Sequence, residues 1–502
     1  MVRPMTSTPV PGGSSAPPSP AGAHAPDGVL KRDFTLRATF SLAFAFISPI
    51  IALYAIFALG LGTAGASFWW AFPIVLVGQF LVALTLGELS SRWPEEGGLY
   101  QWSRRMLGRT YGWVTGWAYV WTLIALMVAT AYAASPFLAG VFGNDDPSTV
   151  LRLVIALGFV AVATLANVVG RRPLQIFVLV SIGCELIGSV VIGTILLVFH
   201  RENSLSDLFT GVAGGSGSFA FGPFLAAVAI VGWAFIGFES AADVAEEVEE
   251  PEKNVPKALI VSLVFVACIV MYAGLALILA IPNLPAVLSG EVSDPIAATL
   301  SAELGSWIVK PMFLVVSTGF CAGMVAVGAA VSRVVFAMSR ERQLPAATFM
   351  SRLSPREGLP VNAILVTSAV SAVVLIGAVA VDLYDTLIAL ASGGFYIAFA
   401  LPVFALLVTR ARGRWEPGVF RLKGVLSVGV NVAAAAWLLF EVVNIAWPRA
   451  IGASWYVEWG CILMFALIAL GGLITHRMVF GGRRGAAHAR EAEGLGVGVA
   501  AD

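Results

Sequence analysis

The sequence predicts an all-α membrane protein of twelve transmembrane helices. Three observations carry this: 58% of the residues are hydrophobic and only 12% charged, the mean hydropathy is +0.88, and long apolar runs follow one another along the chain. A soluble domain keeps about a quarter of its residues charged. At half that fraction too little polar surface remains to face water, so most of the chain faces lipid. The net charge of zero gives no footprint for nucleic acid.

Residues 1–33 are rich in Pro, Ser, Gly and Ala and read as a disordered tail without a cleavable signal. Spans follow near 40–62, 68–90, 112–140, 150–169, 174–199, 222–245, 257–281, 307–338, 361–381, 385–409, 425–446 and 456–476. Each is long enough for a core of about 30 Å at about 1.5 Å per residue. Backbone groups in lipid bond internally, and the runs are continuous rather than alternating, so they are helices and not barrel strands. With the N-terminus placed in the cytoplasm, only Arg152, Arg201, Lys310 and Arg449 of the 30 Lys and Arg residues fall outside. That asymmetry supports an even span count with both termini cytoplasmic. A short tail, 481–502, ends the chain.

Cys184, Cys268, Cys321 and Cys461 lie in apolar runs without paired spacing and read as small buried thiols. His24, His200, His476 and His488 fall in tails or loops. No metal site and no cofactor is expected.

Three acids lie in apolar runs: Glu185, Glu239 and Glu441. An acid at mid-membrane costs a few kcal/mol and needs a reason. Glu441 is near the end of its span and reads as structural, able to snorkel outward. Glu185 is either a protonated acid bonded within the bundle or a proton or cation site. Glu239 follows Gly237, which can open the sixth span, and precedes Ser240, whose hydroxyl can bond freed backbone groups. An opened helix offers N–H groups on one side and C=O groups on the other, partners for a carboxylate and an ammonium. The other reading is a packed glycine beside a pairing acid.

The first span has a matching defect in Ile47-Ser48-Pro49-Ile50. Pro49 lacks an N–H and frees the Ala45 carbonyl, through a kink or a full break. Two interrupted helices, first and sixth, suit an inverted five-plus-five repeat, because five is odd and the second copy enters with opposite topology. The spacing allows that repeat, 34–200 and 218–411, with helices 11 and 12 in 412–480. In the eighth span, Ser317 and Thr318 either bond back to the preceding turn or complete an oxygen shell for Na⁺.

At these residues the chain resembles the amino acid–polyamine–organocation superfamily of permeases. The stretches that carry the likeness are GELSSRWPEEGGLYQWSRRMLG (Gly87–Gly108), WAFIGFESA with AEEVEEPEKNVPKA, SRVVFAMSRERQLPAATFMSRLSPREGLPVNA (Ser332–Ala363) and RWEPGVFRLKGVLSVGVNVAAAAW (Arg414–Trp437). The last resembles the amino acid/choline branch, which includes γ-aminobutyrate permeases. The likeness covers roughly 34–480. It implies that Gly237 marks an unwound centre and that Trp233, Phe235 and Phe238 line a pocket, Trp233 closing over substrate. It also implies that Glu239 is tied to proton-sensitive transport. The family's glycine-rich cradle in span 1 is replaced here by Ile47-Ser48-Pro49-Ile50. That leaves room for substrates without an α-amino acid head, such as γ-aminobutyrate, choline or a polyamine. The lysine that some members carry in span 5 is missing, and Glu185 is the nearby ionisable group.

The expected function is secondary active transport of amino acids or related amines across the plasma membrane by alternating access. Coupling is to H⁺, to Na⁺ or to a counter-substrate. The alternative is a nutrient sensor on the same fold, binding amino acids without net transport. An enzyme is not expected, because no nucleophile–base pair or metal cluster stands out. Glu95, Glu96, Arg104 and Arg105 read as a patch pairing with itself. Glu246, Glu247, Glu249, Glu250 and Glu252 read as a solvated face or a gate.

Overall fold

The computed structural model describes residues 34–211, 221–292, 294–355, 358–380, 384–449 and 455–496. The expected tail at 1–33 lies outside them. Among the described residues, twelve helices are long and apolar enough to cross a membrane. They are Leu36–Tyr54, Phe57–Arg92, Arg109–Val141, Thr149–Val169, Val178–Phe199 and Phe221–Asp243, then Pro251–Ala280, Ser306–Arg340, Val361–Ala380, Leu390–Ala411, Gly424–Ala446 and Gly460–Phe480. We call these spans 1 to 12.

Spans 2 and 7, 3 and 8, and 4 and 9 pack against one another, each with its counterpart five places on. Span 8 sits at the centre, with 83% of its most apolar stretch buried, whereas 6% of span 12's is. Span 12 therefore packs little against the other spans.

Span 1 is two helices, Leu36–Ile47 and Pro49–Tyr54, divided at Ser48 with φ 44°. This is a break rather than a kink in one continuous helix. Span 6 runs as an α-helix over Phe221–Val231 and tightens over Gly232–Phe235. It is extended at Ile236, passes Gly237 at φ 98°, and resumes at Ser240–Asp243. Span 5 carries a wider π turn at Ile187–Val191, just after Glu185, a distortion that often marks functional sites.

Several expectations are corrected. The apolar run to residue 62 is not one helix. Span 1 ends at Tyr54, and Phe57–Ala64 begins the next segment. His476 is not in a tail: it lies inside span 12, its ring 5.0 Å from that of Trp113. The tail expected at 481–502 is helical as far as Gly496. Cys268 is exposed on span 7 rather than buried, because its helical position faces outward. Glu441 does not snorkel. Asn444, one turn on, turns its amide to Glu441 and holds the carboxyl buried at 3.5 Å.

Candidate functional site

The two breaks meet in the middle of the bundle, and each is closed by a carboxylate. At span 1, the Ser48 hydroxyl donates to Glu185 Oε2 at 2.8 Å, and Ser181 donates to Oε1 at 2.8 Å. The Ile50 N–H turns to the same carboxyl, and the Ile51 N–H is taken by Ser48 Oγ at 3.2 Å. The amide end of the second half of span 1 is thus filled by side chains from spans 1 and 5. A helix N-terminus favours negative charge, which accounts for a buried Glu185. On the other side of the break, the Ala45 carbonyl has lost its helical partner because residue 49 is Pro49. Gly323 of span 8 lies against that carbonyl, where an added Cβ would come within 3.2 Å.

At span 6, the freed Gly237 N–H donates to Glu239 Oε2 at 3.0 Å. Gly237 is required twice over: its φ of 98° disfavours any side chain, and a Cβ would run into the Phe46 ring of span 1. Glu239 Oε1 lies 2.9 Å from the Tyr119 hydroxyl of span 3, and Tyr119 lies 2.7 Å from Asp243 Oδ2. All three side chains are fully buried.

Phe46, Tyr119, Phe238, Phe395 and Phe399 form an aromatic layer from spans 1, 3, 6 and 10, with ring centroids 5.4–6.4 Å apart. On the face away from the N-terminal segment, a cavity of about 1520 Å³ opens between the start of span 2 and spans 3, 6, 10 and 11, with Ala55 and Ile56 of the link after span 1 at its wall. Leu59, Ala133, Ile230 and Leu439 line it, Arg449 is its charged lining residue, and Trp233 and Ser392 bring it toward the breaks.

The opposite, basic face is sealed by ion pairs. Arg333 of span 8 reaches Glu247 at 2.6 Å and Glu96 at 3.8 Å, all three buried. Arg340 clasps Glu246 at 2.6 and 2.8 Å, Arg104 reaches Glu341 at 3.0 Å, and Arg105 pairs with Glu95 at 2.6 Å. Phe34 exchanges backbone hydrogen bonds of 2.9 Å with Glu247 and Glu249, tying the start of span 1 into the seal. Burial first, then Glu247 beside it, raises the Glu96 carboxyl well above the usual range. The patch at residues 95–105 thus pairs mostly beyond itself, and Glu246 and Glu247 belong to a closure while Glu250 pairs with Lys253 at the surface.

The structure brings Ile47, Ser48, Pro49, Ile50, Glu185, Gly237, Phe238 and Glu239 together at the breaks, and places Trp233 on the cavity. It does not bring in Phe235, which packs against Phe72 of span 2, centroids 6.0 Å apart. The Thr318 hydroxyl donates back to the Leu314 carbonyl at 2.8 Å, which leaves its oxygen lone pairs uncommitted. Ser317 is buried with no hydrogen-bond partner for Oγ among the described residues. The Ser240 hydroxyl makes no bond to freed backbone either; the Glu239 carboxylate takes that place. Tyr119 and Asp243 were not among the expected residues. The available signal was the four-residue step from Glu239 to Asp243, which puts two acids on one helical face.

Residues 38–471 match the profile of a family described as Amino acid permease. The chain is 26% identical over 447 residues to the GABA-specific permease of Saccharomyces cerevisiae, covering 84% of this chain and 76% of that protein. It is 24% identical over 457 residues to the branched-chain amino acid permease BcaP of Bacillus subtilis, covering 87% and 93%. It is 24% identical over 482 residues to the amino-acid permease BAT1 of Arabidopsis thaliana, covering 89% and 90%.

Proposed function

The chain belongs to the amino acid permease family, as a multi-pass amino acid transporter rather than an enzyme, and on that premise we propose that it works by alternating access with H⁺ coupling or exchange. Its substrate class is amino acids or related amines such as γ-aminobutyrate, choline or polyamines, recognised mainly through the positive group. The observation that carries this is the filled amide end at Ser48. Glu185 and the Ser48 hydroxyl already occupy the groups that would cradle a substrate carboxylate, α or γ, which leaves recognition to the positive group. The relative described as a GABA-specific permease points the same way.

In this reading the protein resides in the plasma membrane with both termini cytoplasmic, and residues 34–200 and 218–411 are the two repeats. Substrate enters through the cavity while the basic face is shut. Trp233 holds its cationic head by attraction to the ring face. The Ala45 carbonyl and Ser317 supply further oxygen atoms. Glu239 and Glu185 exchange protons or balance charge as the halves rock. Purified protein in liposomes, offered amino acids, γ-aminobutyrate, choline and polyamines under separate H⁺ and Na⁺ gradients, tests it. Accumulation driven by H⁺ or by preloaded substrate is expected. Accumulation driven by Na⁺ alone, or no accumulation of any of these substrates, contradicts it.

A further inference from the structure

We propose that Glu239, Tyr119 and Asp243 form one proton-holding relay that links the break in span 6 to the basic face, with Asp243 as the station beyond the break. The inference rests on Glu239 being the coupling group and adds two residues that carry its proton onward.

A phenol has one hydrogen and donates to one acceptor at a time. Tyr119 nevertheless stands at hydrogen-bond distance from two carboxyls, 2.9 Å from Glu239 and 2.7 Å from Asp243. The second contact needs a hydrogen from the carboxyl side. The chain of three groups therefore holds a carboxyl proton in addition to the phenolic one. Asp243 Oδ1 is buried with no hydrogen-bond partner among the described residues, so the pair keeps spare acceptor capacity on the side nearer the basic face.

Both ends of the relay can hold the negative charge. When Glu239 is the carboxylate, the Gly237 N–H stabilises it at 3.0 Å. When Asp243 is the carboxylate, Arg333 of span 8 is its charged neighbour, and Arg333 is itself bound to Glu247 and near Glu96. From span 1 the charged residue is Arg37, and from span 7 they are Glu252, Lys253 and Lys257. Arg37, Lys253 and Lys257 are exposed and Glu252 is half-buried. Transfer is balanced. The Glu239 O–H proton passes to the Tyr119 oxygen as Tyr119's own hydrogen passes to Asp243 Oδ2. The phenol is regenerated, Glu239 becomes the carboxylate and Asp243 becomes the acid.

The test is infrared titration of the full-length protein in lipid nanodiscs, following the carbonyl stretch that a protonated carboxyl has and a carboxylate lacks. Subtracting the Glu239→Gln spectrum isolates the Glu239 signal from those of other buried acids. Asp243→Asn and Tyr119→Phe are expected to move the Glu239 midpoint by at least about one pH unit, the signature of coupled sites. Asp243→Glu, which keeps a carboxyl, is expected to restore it. A Glu239 midpoint that stays put in Asp243→Asn overturns the relay while leaving Glu239 as a possible coupling group. A midpoint that moves as expected, in a protein that no H⁺ gradient drives, overturns the coupling reading and with it the relay's part in transport.

Discussion

Ser48 and Glu185, 137 residues apart, are joined by a 2.8 Å hydrogen bond that closes the break in span 1. The bond makes span 5 a support for the broken helix. Glu185→Ala strands the hydroxyls of Ser48 and Ser181 in a buried site, which costs about 1–3 kcal/mol. Glu185→Gln keeps an acceptor and loses less. Thermal unfolding in detergent is expected to rank wild type above Glu185→Gln above Glu185→Ala. Equal midpoints for wild type and Glu185→Ala would contradict the support role.

Gly237 admits no side chain. Gly237→Ala meets both a φ of 98° and the Phe46 ring, a strain of about 1–3 kcal/mol before the clash is counted. Uptake is expected to fall at least about tenfold, since each 1.4 kcal/mol is a factor of ten. The second change Phe46→Ala should recover part of it. Recovery by Phe46→Ala separates the clash from the backbone strain.

The buried Arg333 holds the seal together. Arg333→Ala leaves the buried Glu247 without its guanidinium, and breaking a buried pair costs about 3–5 kcal/mol. The double change with Glu247→Ala should cost less than the sum of the two single changes. A strictly additive cycle would show that the 2.6 Å contact contributes nothing to the closed form.

Glu96 makes the seal pH-dependent. Its raised carboxyl favours the protonated form while the face is shut. Once the face opens to water, the carboxyl returns to about 4.3. The stabilisation of the shut form is therefore complete below that ordinary value and is lost as pH rises through the raised one. In a background lacking the native cysteines, Ser339→Cys, buried near this end of span 8, should gain reactivity toward a maleimide with rising pH more steeply than the roughly tenfold per pH unit that thiolate formation alone gives. Glu96→Gln should bring the slope back to that of thiolate formation alone, and an unchanged slope would sink the assignment.

Most of the fold was legible because the bilayer imposes it. Lipid forces each long apolar run into a helix, and basic residues mark one face. Gly237 and Pro49 were legible as breaks because each lacks a chemical group the helix needs. What fills the breaks was not, since it depends on residues distant in sequence. Ser48 meets Glu185 only through the packing of spans 1 and 5, and Glu239 meets Tyr119 only through that of spans 3 and 6. Phe235 and Trp233 are two residues apart and equally aromatic, yet the tight turn at Gly232–Phe235 sends one to span 2 and the other to the cavity. Thr318 and Ser317 part in the same way around span 8, and Glu441 is held inward by Asn444, a contact no hydropathy pattern encodes.

The central claim is that substrate movement is tied to the carboxyl that closes span 6. The initial rate of γ-aminobutyrate uptake into proteoliposomes, measured across pH for wild type and Glu239→Gln, tests it most directly. A rate that depends on pH in the wild type and is flat in the variant is the expected result. Two profiles of the same shape would contradict it.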